Sequence, residues 1–169
     1  AESFQLLFQL LRPDSVLLVF FSILLERNII FHCEHRAFLT PVMETLKSLL
    51  FPLTWVHTYV PIFPEGLSLE DSIGAPTPFV FGTDSARFNE CQIDDACIIV
   101  DLNVGTVMTH LGKTVQPQTT VLPSKSYSLM LNQLNNEQKL HKVFNPSACA
   151  QAARSAAVGQ SRLSSGRRH

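Results

Sequence analysis

The sequence has little of what most enzyme sites require. Its seven glycines form neither a G-x-x-x-x-G-K-[ST] phosphate loop nor a G-x-G-x-x-G dinucleotide turn, and no G-x-S-x-G elbow presents a serine nucleophile. Four cysteines in 169 residues, none spaced as C-x-x-C, are too few for a disulfide scaffold and favour thiols in a reducing compartment. These absences exclude the commonest nucleotide-binding and hydrolase signatures, and we expect no cofactor.

Long hydrophobic runs are also scarce. Val16 to Leu25 are nearly all apolar, but Arg12 and Asp14 lie just before this run and Glu26 follows it directly. A membrane-spanning helix needs about 20 such residues, so a run half that long predicts a buried helix. The first residues also lack the basic region and cleavage site that are typical of a secretory signal peptide.

Charge is sparse and unevenly placed. Charged residues make up 16% of the chain, the net charge is −1, and four arginines but no acids lie from residue 146 onward. Residues 1–145 therefore carry a net charge of about −5, which argues against a basic nucleic-acid-binding face. We expect residues 135–169 to be partly helical and then a disordered tail rich in alanine, serine and arginine.

Hydrophobic residues, at 46%, are abundant enough for a sizeable core, and their periodicity predicts alternating helices and strands. A helix is predicted over 14–26, with Asp14 or Ser15 accepting hydrogen bonds from its first turn. The β-branched run 28–33 predicts a strand, and Thr40 before Pro41 predicts the capped start of another helix.

The remaining elements complete a βαβ pattern. Residues 55–60 alternate between two faces as a strand does, and the helix that separates them from strand 28–33 favours parallel pairing. Further predictions are a short helix over 67–73, a strand over 79–81, a loop over 83–95, a strand over 96–102, a hairpin strand over 106–109, a loop over 110–123 and a helix over 124–134. The predicted fold is α/β, a mainly parallel sheet of four or five strands with helices on both faces, forming three layers.

The run from His32 to His35 collects three types of metal ligand. On a strand, His32 and Cys33 point to opposite faces, and zinc sites need a second well-spaced pair of ligands. Cys97 lies in an apolar strand, where burial raises a thiol pKa and makes a nucleophile unfavourable. We therefore expect no metal site and no catalytic residues, although a thiol or metal enzyme built around Cys33 stays as the weakest alternative.

Carboxylates gather near the end of the fourth predicted strand, at Asp94, Asp95 and Asp101. Two interpretations of Asp101 and Asn103 stay open. Their side chains accept hydrogen bonds from turn amides, as Asx residues commonly do, or they face a ligand or partner at the sheet edge. The pattern Asp101-x-Asn103-x-Gly105 is only part of a calcium loop, because the glycine and glutamate of the full loop are missing.

Five segments follow one another along the chain: LLERNIIFH (24–32), LTPVMETLKSLLFPL (39–53), WVHTYVPIFP (55–64), APTPFVFG (75–82) and IVDLN (99–103). In this order they resemble the central lobe of the DENN domain. They depart from the family pattern at Asn28, where a basic residue is usual, and at Val80, where Ile or Leu is usual. Myotubularin-related pseudophosphatases that carry such a domain share the pattern, so it leaves the subfamily open.

The resemblance implies a function without covalent chemistry. DENN domains are guanine-nucleotide exchange factors for Rab GTPases, so it implies a cytoplasmic protein recruited to endomembranes through partners, with no nucleic-acid ligand. It makes residues 13–134 the DENN-like lobe and residues 1–12 the end of an upstream element. Asp101 and Asn103 are the predicted partner-binding residues. The alternative is a DENN-like scaffold that binds partners without exchanging nucleotide.

Overall fold

One mixed sheet forms the centre of the fold. The computed structural model describes residues 2–93, 96–109 and 124–141. Within them, five strands are found: β1 (Ile29–Cys33), β2 (Thr58–Val60), β3 (Phe79–Asp84), β4 (Ile98–Asp101) and β5 (Thr106–Thr109). Their order across the sheet is β2-β3-β1-β4-β5, with every pair parallel except the β4–β5 hairpin. The predicted α/β fold with a mainly parallel sheet is confirmed.

Helices cover both faces of this sheet. The described helices are α1 (Glu2–Leu10), α2 (Pro13–Leu24), α3 (Leu39–Ser48), α4 (Leu69–Ile73), α5 (Ser85–Glu90) and α6 (Ser124–His141). Side chains of α1, α2 and α3 form a larger core against one sheet face, which includes Ile29 and Phe31. Ile30 and Phe79 lie in a smaller core on the other face, with α4 and the Phe88 ring of α5. Alternation along β1 thus produces the three layers that were predicted.

The buried helix was predicted correctly, but its cap was not. Nine of the twelve residues of α2 are buried. Arg12 occupies the cap position and Pro13 is the first helical residue, with no side-chain hydrogen bond at the cap. Proline has no amide hydrogen to satisfy there, which lessens the need for a capping side chain. Asp14 instead pairs with Arg12, and the Ser15 hydroxyl donates to the Gly105 carbonyl at 3.3 Å.

The start of α3 also differs from the prediction. A short 3-10 turn, Arg36–Phe38, leads directly into the helix at Leu39, so Thr40 is already helical and caps nothing. Val42 and Leu46 are four residues apart on an apolar stripe of the helix, and both are fully buried in the larger core. Burial of one face therefore fixes this helix, whereas the threonine–proline pair does not fix its first residue.

β2 and β4 are shorter than predicted. β2 begins only at Thr58, which pairs with Phe79, the first residue of β3, so the residues before Thr58 have no strand to pair with. In this segment the Trp55 indole donates to the Thr58 carbonyl at 3.3 Å, and His57 contacts Glu26 at 3.1 Å. β4 begins at Ile98 rather than at residue 96. Alternating residues thus form a strand only where a neighbour offers backbone hydrogen bonds.

The predicted loop over 83–95 contains regular structure. β3 continues to Asp84 because this residue pairs in register with Cys33 of β1. The Asp84 carboxylate then accepts a hydrogen bond from the Arg87 amide at 2.8 Å and so caps α5. The polar composition of this segment predicted a loop, but a short helix forms there because the preceding strand places its capping residue.

The last described helix confirms the prediction of a helix from residue 124, and α6 packs against α2. The predicted loop over 110–123 and the predicted tail beyond residue 141 lie outside the described residues, as do Asp94 and Asp95. No single helix in the described part of the chain is long and apolar enough to cross a membrane. α1 and α2 reach the required length only as a pair, and they are bent by 109°.

Candidate functional site

The carboxyl ends of β1, β3 and β4 meet at one edge of the sheet, because the three strands are parallel neighbours. We call this the carboxyl edge and define it by residues 33–36, 61–68, 84–88 and 101–105. The chain passes from β1 to strands on either side of it, which makes the edge a topological switch point. In open α/β sheets, such an edge is where ligands and partners commonly bind.

Asp101 and Asn103 both lie at this edge, in the turn between β4 and β5. The Asn103 amide donates to the Asp101 side chain at 2.8 Å, and the Gly105 amide donates to the Asp101 carbonyl at 2.9 Å. Gly105 has φ +72°, a left-handed conformation that glycine adopts without strain. The hypothesis of an Asx turn is therefore confirmed for Asp101, while contact of either residue with a partner stays a prediction.

The side chain of Asn103 connects two further segments of the edge. Its Oδ1 accepts from the Glu34 amide at 2.9 Å, directly after β1. Its Nδ2 donates to the Ser85 hydroxyl at 3.0 Å, at the start of α5. One amide group thus holds the ends of β1, β3 and β4 in fixed relative positions.

His32 completes this network from the end of β1. Its Nδ1 lies 3.1 Å from the Ser85 hydroxyl, and its ring stacks on Phe88 with centroids 4.1 Å apart. His32 is only 7% exposed, and this burial lowers the pKa of the imidazole, with the nearby Asp101 carboxylate opposing the shift. A neutral ring with its proton on Nε2 accepts the Ser85 hydroxyl hydrogen at Nδ1 and directs its own hydrogen toward Asp101.

Ser85, His32 and Asp101 are the residue types of a hydrolase triad, but their geometry favours a structural role. His32 Nε2 lies 3.8 Å from the Asp101 carboxylate, longer than a hydrogen bond. The Ser85 oxygen already accepts from Asn103, and Phe88 covers the imidazole. The side chains of His32, Ser85 and Asn103 thus form a chain of hydrogen bonds, and Asp101 holds the backbone amide of Asn103. These bonds rigidify the edge.

Sequence reasoning missed Ser85, and it assigned His32 only to a strand. Ser85 lies 53 residues from His32, and no spacing signal connects them. Asp84 followed by Arg87 at a strand end could have indicated the helix start that positions Ser85. Cys33 lies fully buried in the larger core, on the sheet face opposite His32, as strand alternation predicts. Within the described ranges, no three metal-ligating side chains gather.

Two arginines connect the loop 61–68 to the same edge. Arg36 binds Glu65 and Asp84, each at 2.6 Å. The pKa of Asp84 is lowered, chiefly because its carboxylate accepts the Arg87 amide, and also because of Arg36. The Arg87 guanidinium donates to the Pro64 carbonyl at 2.6 Å. The loop after β2 is therefore tied to the strand ends by charged groups.

Trp55, His57 and Tyr59 lie at the opposite end of the sheet, at the edge strand. Trp55 and Tyr59 are partly buried against the larger core, so they contribute to folding. Their outer sides line a groove with Phe51, and Lys47 lies 4.3 Å above the Tyr59 ring. Exposed apolar side chains here are separate from the polar network of the carboxyl edge.

Together, the fold and the edge define a binding scaffold. The three-layer lobe presents a rigid rim at the switch point of its sheet, and the polar groups found there are engaged with one another. Such an arrangement supports recognition of a protein surface rather than covalent catalysis.

Comparison with known proteins identifies the family. Residues 1–105, more than half of the chain, match the model of the DENN (AEX-3) domain, and the chain belongs to this family. The resemblance inferred from the five sequence segments is confirmed. The predicted lobe boundaries at residues 13 and 134 stay predictions.

Curated relatives extend the similarity beyond the matched domain. The chain is 32% identical over 148 residues to DENN domain-containing protein 2D of mouse and of human, covering 84% of the chain and 30% of each relative. It is 28% identical over 140 residues to human DENN domain-containing protein 2B, covering 81% of the chain and 12% of that relative. The chain therefore spans about a third or less of the curated relatives that it matches.

Proposed function

We propose that this chain is part of a guanine-nucleotide exchange factor that binds a Rab-family GTPase and promotes GDP release in membrane trafficking. Membership of the DENN family is the observation that carries the proposal. The rigid carboxyl edge supports it, because a protein surface must be shaped before it can distinguish two states of a partner. The protein acts at the cytoplasmic side of endomembranes, which it reaches through its partners.

The mechanism requires only differential binding. An exchange factor that binds the nucleotide-free GTPase more tightly than the GDP-bound form lowers the affinity of the GTPase for GDP by the same factor. Each tenfold difference corresponds to about 1.4 kcal/mol, which a few well-placed contacts supply. No nucleophile, metal or cofactor of the exchange factor takes part in this reaction.

We place the GTPase contact at the carboxyl edge, with Asp101 and Asn103 as its central residues. Their hydrogen bonds fix the β4–β5 turn, and between them and Gly105 the turn presents Val104, which is 64% exposed. Glu34 is exposed beside this turn, and its amide is held by Asn103. A fixed turn that carries one apolar and several polar groups suits the centre of a protein interface.

A non-exchanging scaffold is the alternative function. A lobe that binds the GDP-bound and the nucleotide-free GTPase equally tightly holds its partner without shifting the affinity of the GTPase for GDP. Stable GTPase binding without nucleotide preference would support this alternative.

Release of a fluorescent GDP analogue from a panel of Rab GTPases tests the exchange function. We expect the full chain to accelerate release from at least one member and Asp101→Lys or Asn103→Lys to slow that release at least tenfold. Val104→Glu is expected to do the same while leaving the turn hydrogen bonds in place, so it separates loss of contact from loss of folding.

Asn136→Lys is the matched control for Asn103→Lys, because it makes the same replacement on the exposed surface of α6. If the chain accelerates nucleotide release from no GTPase but binds one in a pull-down, the result would support the scaffold function instead. Acceleration that is indifferent to all three edge substitutions would refute the placement of the contact.

A further inference from the structure

The loop 61–68 is an irregular segment that the fold holds in one conformation. It joins β2 to α4 and lies over the end of β3, where the Phe63 amide donates to the Gly82 carbonyl at 2.7 Å. The Phe63 side chain is buried in the smaller core beneath the loop. One anchor of the loop is therefore an apolar side chain with a backbone hydrogen bond.

Arg36 supplies the second anchor. Its guanidinium bridges Glu65 of the loop and Asp84 at the end of β3, with both distances at 2.6 Å. Hydrogen bonds to Glu65 and Asp84 raise the pKa of Arg36, so the cation is retained. Ion pairs at an exposed surface contribute little to stability, so this bridge fixes geometry more than it stabilises the fold.

Arg87 supplies the third anchor from α5. Its guanidinium lies 5.0 Å above the Phe63 ring and donates to the carbonyls of Pro64 and Leu67. Backbone carbonyls of an irregular loop otherwise require water as a partner. Because one planar cation satisfies two of them, the backbone of the loop is held at both of its halves.

The constrained loop leaves two aliphatic side chains outside. Ile62 is 46% exposed and Leu67 is 57% exposed, although the neighbouring Phe63 and Leu69 are buried. Both exposed residues belong to the carboxyl edge, as does Val104 of the β4–β5 turn. Ordering a side chain on binding reduces affinity, and a loop that is already ordered avoids the larger cost of ordering its backbone.

We propose that the loop 61–68 is a preorganised contact segment for the GTPase, in which Ile62 and Leu67 touch the partner and Arg36 and Arg87 are positioning residues. This inference rests on the proposed function and names a second part of the same interface. The occupant is the GTPase, because the loop continues the edge on which the polar network and Val104 lie. The surface of the GTPase that contacts the loop must have apolar groups between polar ones.

The test combines an exchange assay with hydrogen exchange of the loop amides. In the full chain, the double variant Arg36→Ala/Arg87→Ala is expected to raise hydrogen exchange of residues 62–68 at least tenfold. It is also expected to raise the concentration for half-maximal nucleotide release about tenfold, with an unchanged maximal rate. Ile62→Ser/Leu67→Ser is expected to weaken binding equally while the loop amides stay protected. Arg27→Ala, an exposed arginine at the other end of β1, is the matched control.

Each outcome decides the inference. A loop that stays protected without both arginines overturns their positioning role, and GTPase affinity that is indifferent to Ile62→Ser/Leu67→Ser overturns the contact. If the unmodified chain binds no GTPase, both the proposed function and this inference are refuted. In that case the protection of the loop amides still shows whether the arginines hold the loop.

Discussion

Gly82 is the position at which a single added methyl group should disturb the fold most directly. It pairs with Phe31 in the centre of the sheet, and the chain at Pro61 crosses immediately above it. A Cβ atom at residue 82 would lie 2.0 Å from the Pro61 carbonyl oxygen and 2.9 Å from the Met43 sulfur. An ordinary carbon–oxygen contact is about 3.3 Å, so the backbone at Pro61 must move by more than 1 Å.

The cost of Gly82→Ala follows from what this movement breaks. Overpacking a core position costs about 1–3 kcal/mol, and loss of the hydrogen bond from Phe63 to the residue 82 carbonyl adds about 1 kcal/mol. We expect a destabilisation of about 3 kcal/mol, which for a chain of this length lowers Tm by roughly 6–12 °C. The loop 61–68 begins at Pro61, so its amides should lose protection first.

Urea unfolding, followed through Trp55, measures the loss of stability. Trp55 is the only tryptophan, and it precedes β2, the strand that leads to the displaced backbone at Pro61. Gly66→Ala is the matched control, since a Cβ there meets no atom within 4 Å. The control should be neutral or more stable by up to about 1 kcal/mol, because alanine restricts the unfolded chain. A Gly82→Ala variant within 0.5 kcal/mol (roughly experimental error) of the parent would refute the argument from close approach.

Three further predictions concern the carboxyl edge. Gly105→Ala should cost about 2 kcal/mol in a thermal melt, because φ is +72° and a Cβ would lie 2.5 Å from the Leu10 carbonyl oxygen; an unchanged Tm would contradict this. The lowered pKa of His32 means that the unfolded chain takes up this proton first, so stability should fall as pH drops below 6.5, by at most about 1.4 kcal/mol per pH unit. Urea midpoints between pH 5 and 7 (roughly the range in which an unperturbed imidazole titrates) should show a shallower slope for His32→Asn, and equal slopes would exclude the imidazole as the cause. Asn103→Ala should cost about 1–2 kcal/mol and speed hydrogen exchange of the Glu34 amide, whereas Asn103→Asp, which still accepts from that amide, should retain its protection.

The polar network also explains why this member of the DENN family can contain Ser85, His32 and Asp101 close together without the geometry of a hydrolase triad. A catalytic serine needs a free hydroxyl beside an open space and a well-aligned base. Here the Ser85 oxygen accepts from Asn103, and Phe88 lies flat against the imidazole. The residue types alone would indicate a hydrolase, whereas the hydrogen bonds that connect His32 and Asp101 to Ser85 and Asn103 indicate a brace between strand ends.

The sequence by itself determined the elements that bury apolar surface with a clear period. The continuous hydrophobic run of α2, the stripe of α3 and the two-faced run of β4 were all recognisable, because burial selects apolar residues wherever a helix or strand meets the core. The order of five segments was enough to indicate the family. Asp101 and Asn103 were recognisable as turn residues, because an Asx turn depends only on residues two positions apart.

Only the tertiary structure decided where regular structure stops and which side chains meet. β2 is short and β3 is long because strand length depends on a neighbour's backbone, and α5 forms where β3 delivers Asp84 to its cap. Parallel pairing brings the ends of β1, β3 and β4 to one edge, so His32 meets Ser85 and Arg36 meets Glu65 across long stretches of chain. Such contacts leave no periodic pattern in the sequence, because the two residues of each pair lie far apart along the chain. Only the pairing of strands in the sheet brings them together.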